Sequence, residues 1–109
     1  MAYKRVFQRI KKTLQVTISS ESGTQNALTE DLSASGFFIK TQQVFQPGTI
    51  LNISLKGPSD TIEMSCRVVW ARKVPSKLFH LTNKNGMAVL ITEFQKGEDE
   101  YHLLYQKKV

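Results

Sequence analysis

Cysteine is almost missing from this chain. Cys66 is the only one in 109 residues, so no intrachain disulfide can form, and a fold stapled by such bonds is excluded. Long apolar runs are missing as well: polar residues interrupt even the stretch around Val68 to Ala71, far short of the 18 or so consecutive apolar residues a membrane helix needs. Met1 is followed by polar residues and not by a charged segment leading into an apolar one, which points to a reducing, cytoplasmic setting. Histidine is limited to His80 and His102. Neither lies at ligand spacing from the other or from Cys66, so a metal site is not expected, and Cys66 reads as a small core residue. There is no Walker-type or dinucleotide glycine loop. The serines of Leu32-Ser-Ala-Ser-Gly36 do not form a Gly-x-Ser-x-Gly elbow. The chain is therefore not expected to be an enzyme.

What is present suits one small domain, residues 1–109, since 40% of the side chains are hydrophobic and the length allows a single core. Fifteen Lys and Arg against nine Asp and Glu give +6 and a pI near 9.6, which permits an anionic partner. The excess is local. Lys4, Arg5, Arg9, Lys11 and Lys12 put five positive charges and no negative one into the first twelve residues, leaving +1 on the other 97. Residues 1–12 thus read as a flexible basic arm on a nearly neutral body.

Period-two alternation dominates that body, residues 13–94. Leu14, Val16 and Ile18 alternate with polar residues as a first strand, and a turn follows at Glu21-Ser-Gly-Thr24. Further strands are expected over 26–30 and 36–41. Gln46-Pro47-Gly48 signals a turn in which glycine takes a positive φ, opening a strand with Leu51, Ile53 and Leu55 on one face. Gly57-Pro-Ser-Asp60 ends it. The fifth and longest strand carries Ile62, Met64, Cys66, Val68 and Trp70 on one face. That alternation assigns Trp70 to the core and not to stacking on a base; Val69, which breaks the alternation, implies that the far half is covered on both sides. Residues 72–85 read as a long exposed connection, and 87–94 as the sixth strand. Glu98, Asp99 and Glu100 then lead a helix over 97–108 that ends in Lys107 and Lys108, the charge order favoured by the helix dipole. Tyr101, Leu104 and Tyr105 share a face that should dock on the sheet. The acidic triplet is thus a helix start and not a catalytic carboxylate pair. Regular strands with no helices between them define an all-β, small six-stranded antiparallel barrel or sandwich.

Two local patterns carry chemistry. In Arg5-Val-Phe-Gln-Arg9 the four-residue spacing puts both guanidinium groups on one side of the chain in a helix or a strand. If extended, they are about 13 Å apart. An arginine fork binds phosphate bidentately or meets the O6 and N7 acceptors of guanine. In Asp31-Leu-Ser-Ala-Ser-Gly36 the side chains suit a turn, and a carboxylate with a hydroxyl also suits the donor edge of guanine, with Gly36 letting a ligand approach the backbone. Each pattern alone has a plainer reading, as solvated charge and as a turn.

Together they resemble the PilZ family, small bacterial β-barrel receptors for cyclic di-GMP whose paired signature is Arg-x-x-x-Arg and, some twenty to thirty residues on, Asp/Asn-x-Ser-x-x-Gly. Arg5 and Arg9 match the first part; Asp31, Ser33 and Gly36 match the second, after 21 intervening residues (10–30). The likeness continues through Gly36-Phe-Phe-Ile39, Cys66-Arg-Val-Val-Trp70 and Gly86-Met-Ala-Val89. It implies a PilZ-like barrel in which Arg5 and Arg9 grip phosphates and guanine from a mobile arm, Asp31 and Ser33 take guanine edges, and Gly36 admits the base. It also implies that the arm orders on binding and presents a new surface to a partner protein. Lys4 is basic as in members that bind a stacked ligand pair. The chain departs from the family at Ser35 and Ala88, where many members have glycine, and at Lys11, where many have proline. Two other readings compete: a small barrel that binds single-stranded nucleic acid with its basic, aromatic-bearing arm, and an adaptor that binds only proteins. Five signature residues kept together favour the receptor.

Overall fold

The computed structural model describes residues 9–73 and 85–105. They form a two-residue strand β1 (Ile10–Lys11), then β2 (Gln15–Ser20), β3 (Gly23–Leu32), β4 (Gly36–Lys40), β5 (Ile50–Lys56), β6 (Thr61–Arg72), β7 (Gly86–Lys96) and the helix α1 (Glu98–Tyr105). All pairings are antiparallel, in the order β3-β2-β5-β6-β7-β4, and β4 pairs back onto β3. That last pairing closes six strands into a barrel, which leaves no free edge within the ring. β1 is an extra strand on the far half of β3, with Ile10 opposite Leu32 and Lys11 opposite Asp31.

Alternation decides which side chains enter the barrel. Val16, Ile18, Leu51, Ile53, Leu55, Ile62, Met64, Cys66 and Val68 are all buried, as the period-two reading expects. Burial pushes the Cys66 thiol up to about 12, so it stays protonated and packs as an apolar group. Gly48 takes φ +95° in the turn before β5, where a glycine meets no Cβ penalty. β3 starts three residues earlier than expected, at Gly23, because the outer half of the β2–β3 hairpin extends beyond the core and carries polar residues on both faces.

The fifth predicted strand requires a correction. Val69 is 51% exposed and Trp70 44% exposed, so neither is core and the far half is not covered on both sides. A β-bulge is the reason: Val68 pairs with Val89 and Trp70 with Ala88, leaving Val69 as an extra residue. The extra residue reverses the alternation beyond it and swings Trp70 to the outside. The 12-residue arm expected from the charge pattern is also tied down at its near end. Ile10 and Lys11 are in β1, the Lys12 amide donates to the Glu30 carbonyl (3.2 Å), and the buried Thr29 hydroxyl donates to the Lys12 carbonyl (2.7 Å) while accepting from the Leu14 amide (2.9 Å). Lys4 and Arg5 lie outside the described residues, as do most of the 72–85 connection and the last residues of the expected helix.

Helix α1 closes one end of the barrel. Gly97, at φ +85°, turns the chain out of β7, and Tyr101 and Leu104 enter the core. Glu100 Oε2 accepts from the amides of Ser59 (2.9 Å) and Asp60 (3.1 Å), tying the helix to the β5–β6 turn. Tyr101 is completely buried. Its hydroxyl donates to the carbonyls of Ser33 (2.6 Å) and Gly36 (3.4 Å), in the turn between β3 and β4. Among the described residues no helix is long and apolar enough to cross a membrane. Replacing Tyr101 by Phe keeps the ring and removes the bond, leaving the Ser33 carbonyl short of a partner. Urea denaturation should show a loss of about 1–3 kcal/mol; an unchanged midpoint would mean that the hydroxyl contributes nothing.

Candidate functional site

The pairing of β3, β4, β7 and β6 places four residues in one row across the outer wall. Asp31 is opposite Phe38, Phe38 is opposite Ala88, and Ala88 is opposite Trp70. The two aromatic rings lean over the small Ala88 until their centroids are 5.5 Å apart at 37°, within the usual range for a stabilising aromatic pair. Gly86 makes room for this: a Cβ there would run into the Phe38 ring and the Ile39 carbonyl oxygen. Arg72, two residues past Trp70, holds its guanidinium carbon 5.5 Å from the Trp70 ring centroid, a cation–π contact. The result is a groove of about 430 Å³ lined by Arg9, Glu30, Asp31, Phe38, Trp70, Arg72 and Ala88.

Arg9 and Asp31 meet at the β3 side of the groove although they are 22 positions apart in the sequence. The Arg9 fork donates from Nη2 to Asp31 Oδ1 at 2.7 Å and from Nε to Oδ2 at 3.2 Å. Asp31 Oδ1 also accepts the Phe38 amide at 3.3 Å. The fork raises the Arg9 pKa from its already high value, against the opposing effect of partial burial. Both partners remain reachable from solvent, with side chains 48% and 25% exposed.

Ser33 and Gly36 are elsewhere. Ser33 is 1% exposed, and its hydroxyl donates to the Gly36 carbonyl (3.1 Å) while accepting the amides of Ser35 and Gly36, both at 3.3 Å. Gly36 packs against β7 so closely that a Cβ would collide with the Val89 carbonyl oxygen. Neither residue lines the groove. In this structure they build and seat the turn that brings β4 back along β3. Of the sequence-predicted residues, the structure thus brings together Arg9 and Asp31 in the groove, and Ser33 with Gly36 behind it.

Sequence reasoning missed Phe38, Arg72 and Glu30, and placed Trp70 in the core. The signal for Trp70 was the Val68-Val69 break in alternation, which is also what a bulge produces. The signal for Phe38 was weaker: in Phe37-Phe38-Ile39 an outward aromatic sits between two inward side chains, and only the register shows what faces it.

The fold is thus a closed barrel with Arg9 and Asp31 paired beside an aromatic groove on its outer wall. The model of the PilZ domain matches residues 3–95, and the chain belongs to the PilZ domain family. Comparison with curated proteins returns no match. Among solved structures, the inhibitor of motility from Bacillus subtilis (MotI/DgrA) superimposes with a TM-score of 0.71 at 23% identity, covering 91% of this chain and 47% of that one. This chain therefore spans about half of that protein. The PilZ domain of CeSA from a cellulose-synthesizing bacterium gives 0.62 at 20% identity, with 90% and 94% covered. The PilZ domain of YcgR from Escherichia coli, solved with c-di-GMP, gives 0.58 at 17% identity, with 91% and 86% covered.

The close approach of Gly36 to Val89 makes a clear prediction. Gly36→Ala must push the start of β4 off β7, since the colliding atom is backbone and cannot rotate away. Its unfolding free energy should drop by about 1–3 kcal/mol. Urea melts of the two proteins measure this, and a variant as stable as the parent would show that the packing is looser than described.

Proposed function

We propose that the groove between β3 and β6 binds cyclic di-GMP and that the chain acts as a receptor for it, with no reaction of its own. The observation that supports this best is the meeting of Arg9 and Asp31. They come from the two separate halves of the family signature, and they stand beside the aromatic surface of Phe38 and Trp70. A purine stacks on such a surface for about 1–3 kcal/mol per base. Phosphates would fall to Arg9 and Arg72, whose planar forks donate to two phosphate oxygens at once. Asp31 suits the donor edge of guanine.

In this proposal Arg5 joins Arg9 on the phosphates, and Lys4 extends the positive field toward a second stacked ligand. Ser33 and Gly36 serve by holding the turn. Ligand capture by residues 1–9 reshapes the surface beside the barrel, and a downstream protein reads the change. The YcgR domain solved with c-di-GMP supports the choice of ligand. A single-stranded nucleic acid is the competing anion, and the local, bounded groove favours the smaller molecule.

Calorimetric titration tests the reading. The wild type should bind cyclic di-GMP saturably at micromolar affinity or better. Arg9→Ala should abolish detectable binding, and Trp70→Ala should weaken it by about tenfold or more. No binding to the wild type at high protein concentration would overturn the proposal. So would steeply salt-dependent binding of single-stranded oligonucleotides that ignores cyclic di-GMP.

A further inference from the structure

A second carboxylate stands in the groove next to Asp31. The β3–β4 register shifts between Thr29, opposite Ile39, and Asp31, opposite Phe38, so Glu30 is the extra residue of a β-bulge. Thr29 is buried and Asp31 faces the groove. A bulge re-aims the side chain at the extra position, and Glu30 lines the same groove as Asp31. The backbone carbonyl of Glu30 accepts the Lys12 amide. Its carboxylate has no hydrogen bond or ion pair with any described residue.

The two neighbouring acids are therefore not equivalent. Asp31 has both oxygens engaged by the Arg9 fork, and one of them also takes the Phe38 amide. Among the described residues Glu30 presents two acceptor oxygens with no hydrogen-bond or ion-pair partner. An anionic phosphate is repelled from that spot, and the forks of Arg9 and Arg72 offer it better places. What suits Glu30 is a pair of adjacent N–H donors. Asp31 is directly opposite Phe38, about one strand spacing of 4.8 Å away, so a base lying on the Phe38 and Trp70 rings has one edge toward the carboxylates. Guanine carries two donors side by side on its pairing edge, N1–H and the exocyclic amine. Adenine carries one donor there, and its N1 lone pair would point at the carboxylate.

We infer that Glu30 is a specificity-determining residue of the groove, accepting the N1–H and exocyclic N–H donors of a stacked guanine and turning adenine away. This rests on the reading of the groove as a cyclic dinucleotide site. The mechanism of discrimination is an unmatched acceptor on Glu30 once a stacked base covers it. A guanine satisfies both oxygens, whereas an adenine leaves one acceptor facing another, and a wrong polar match costs more than a right one gains.

Glu30→Gln tests it, because the shape is kept while one acceptor becomes a donor. The amide then matches adenine, accepting from its amine and donating to its N1. The full chain and the variant are titrated with cyclic di-GMP and with cyclic di-AMP, and their melting temperatures are compared. The wild type should prefer cyclic di-GMP, and the variant should lose about tenfold in affinity for it while binding cyclic di-AMP as well as or better than the wild type does. The preference thus narrows at an unchanged melting temperature. A variant that keeps the wild-type ratio between the two ligands would overturn the assignment, and so would an equal loss for both. A wild type that binds neither would instead overturn the reading of the groove itself, an outcome visible before the variant is made.

Discussion

The hydrogen-bonded pairing of β3 with β4 is the constraint on which the rest of this molecule depends. Without it the six strands are an open sheet with two exposed edges; with it they enclose one apolar core. The pairing needs the chain to reverse within residues 33–35. That reversal is fixed by the Ser33 hydroxyl bonding across the turn, by the Ser33 amide donating to the Gly36 carbonyl at 2.8 Å, and by the Tyr101 hydroxyl from the other end of the chain. A buried turn has carbonyls that water cannot reach, so a partner must be supplied from within the protein. Tyr101 supplies it, and thereby makes helix α1 part of barrel closure.

The same pairing creates the groove. Once β4 lies between β3 and β7, Asp31, Phe38, Ala88 and Trp70 fall into one row. Two bulges then finish the walls, one at Glu30 on β3 and one at Val69 on β6. Each breaks the strict in-and-out alternation at the place where an outward side chain is wanted. Bulges are common beside binding sites for this reason, since a regular ladder sends every second side chain into the core. Between the walls, β7 contributes only Gly86 and Ala88, small enough for Phe38 and Trp70 to close over the strand.

Much of the barrel was legible because burial on one face enforces period two. Val16 and Ile18, Leu51 to Leu55 and Ile62 to Val68 all fell where alternation put them. The helix was legible from its acidic first turn and from the Tyr101–Leu104 face. Reading failed where one residue was inserted, because a bulge shifts the phase of everything beyond it. That is why Trp70 was assigned to the core and why the exposed Val69 was taken as covered. For the site, the resemblance implied that Arg9 and Asp31 serve one ligand, but their direct ion pair was not expected, since nothing local joins positions 22 apart. The hydrogen bonding of Ser33 within its own turn was readable from local chemistry. Glu30, Phe38 and Arg72 were not readable, because their importance lies in what stands opposite them across strands.

The energetics of the Arg9–Asp31 pair bear on how such a groove would work. It is a forked pair with short contacts, yet Arg9 is half exposed. Pairs in that setting contribute about 0–1 kcal/mol net, because water and mobile ions compensate for much of the attraction. The aromatic surface, by contrast, is set by strand register and needs no rearrangement. On the proposed reading, a dianionic ligand meets a floor already in shape and an arginine that is held in the right place but only lightly. Transferring the fork from Asp31 to a phosphate exchanges one charge-assisted contact for another, so little of the ligand's affinity is consumed in releasing it. Asp31 keeps the Phe38 amide.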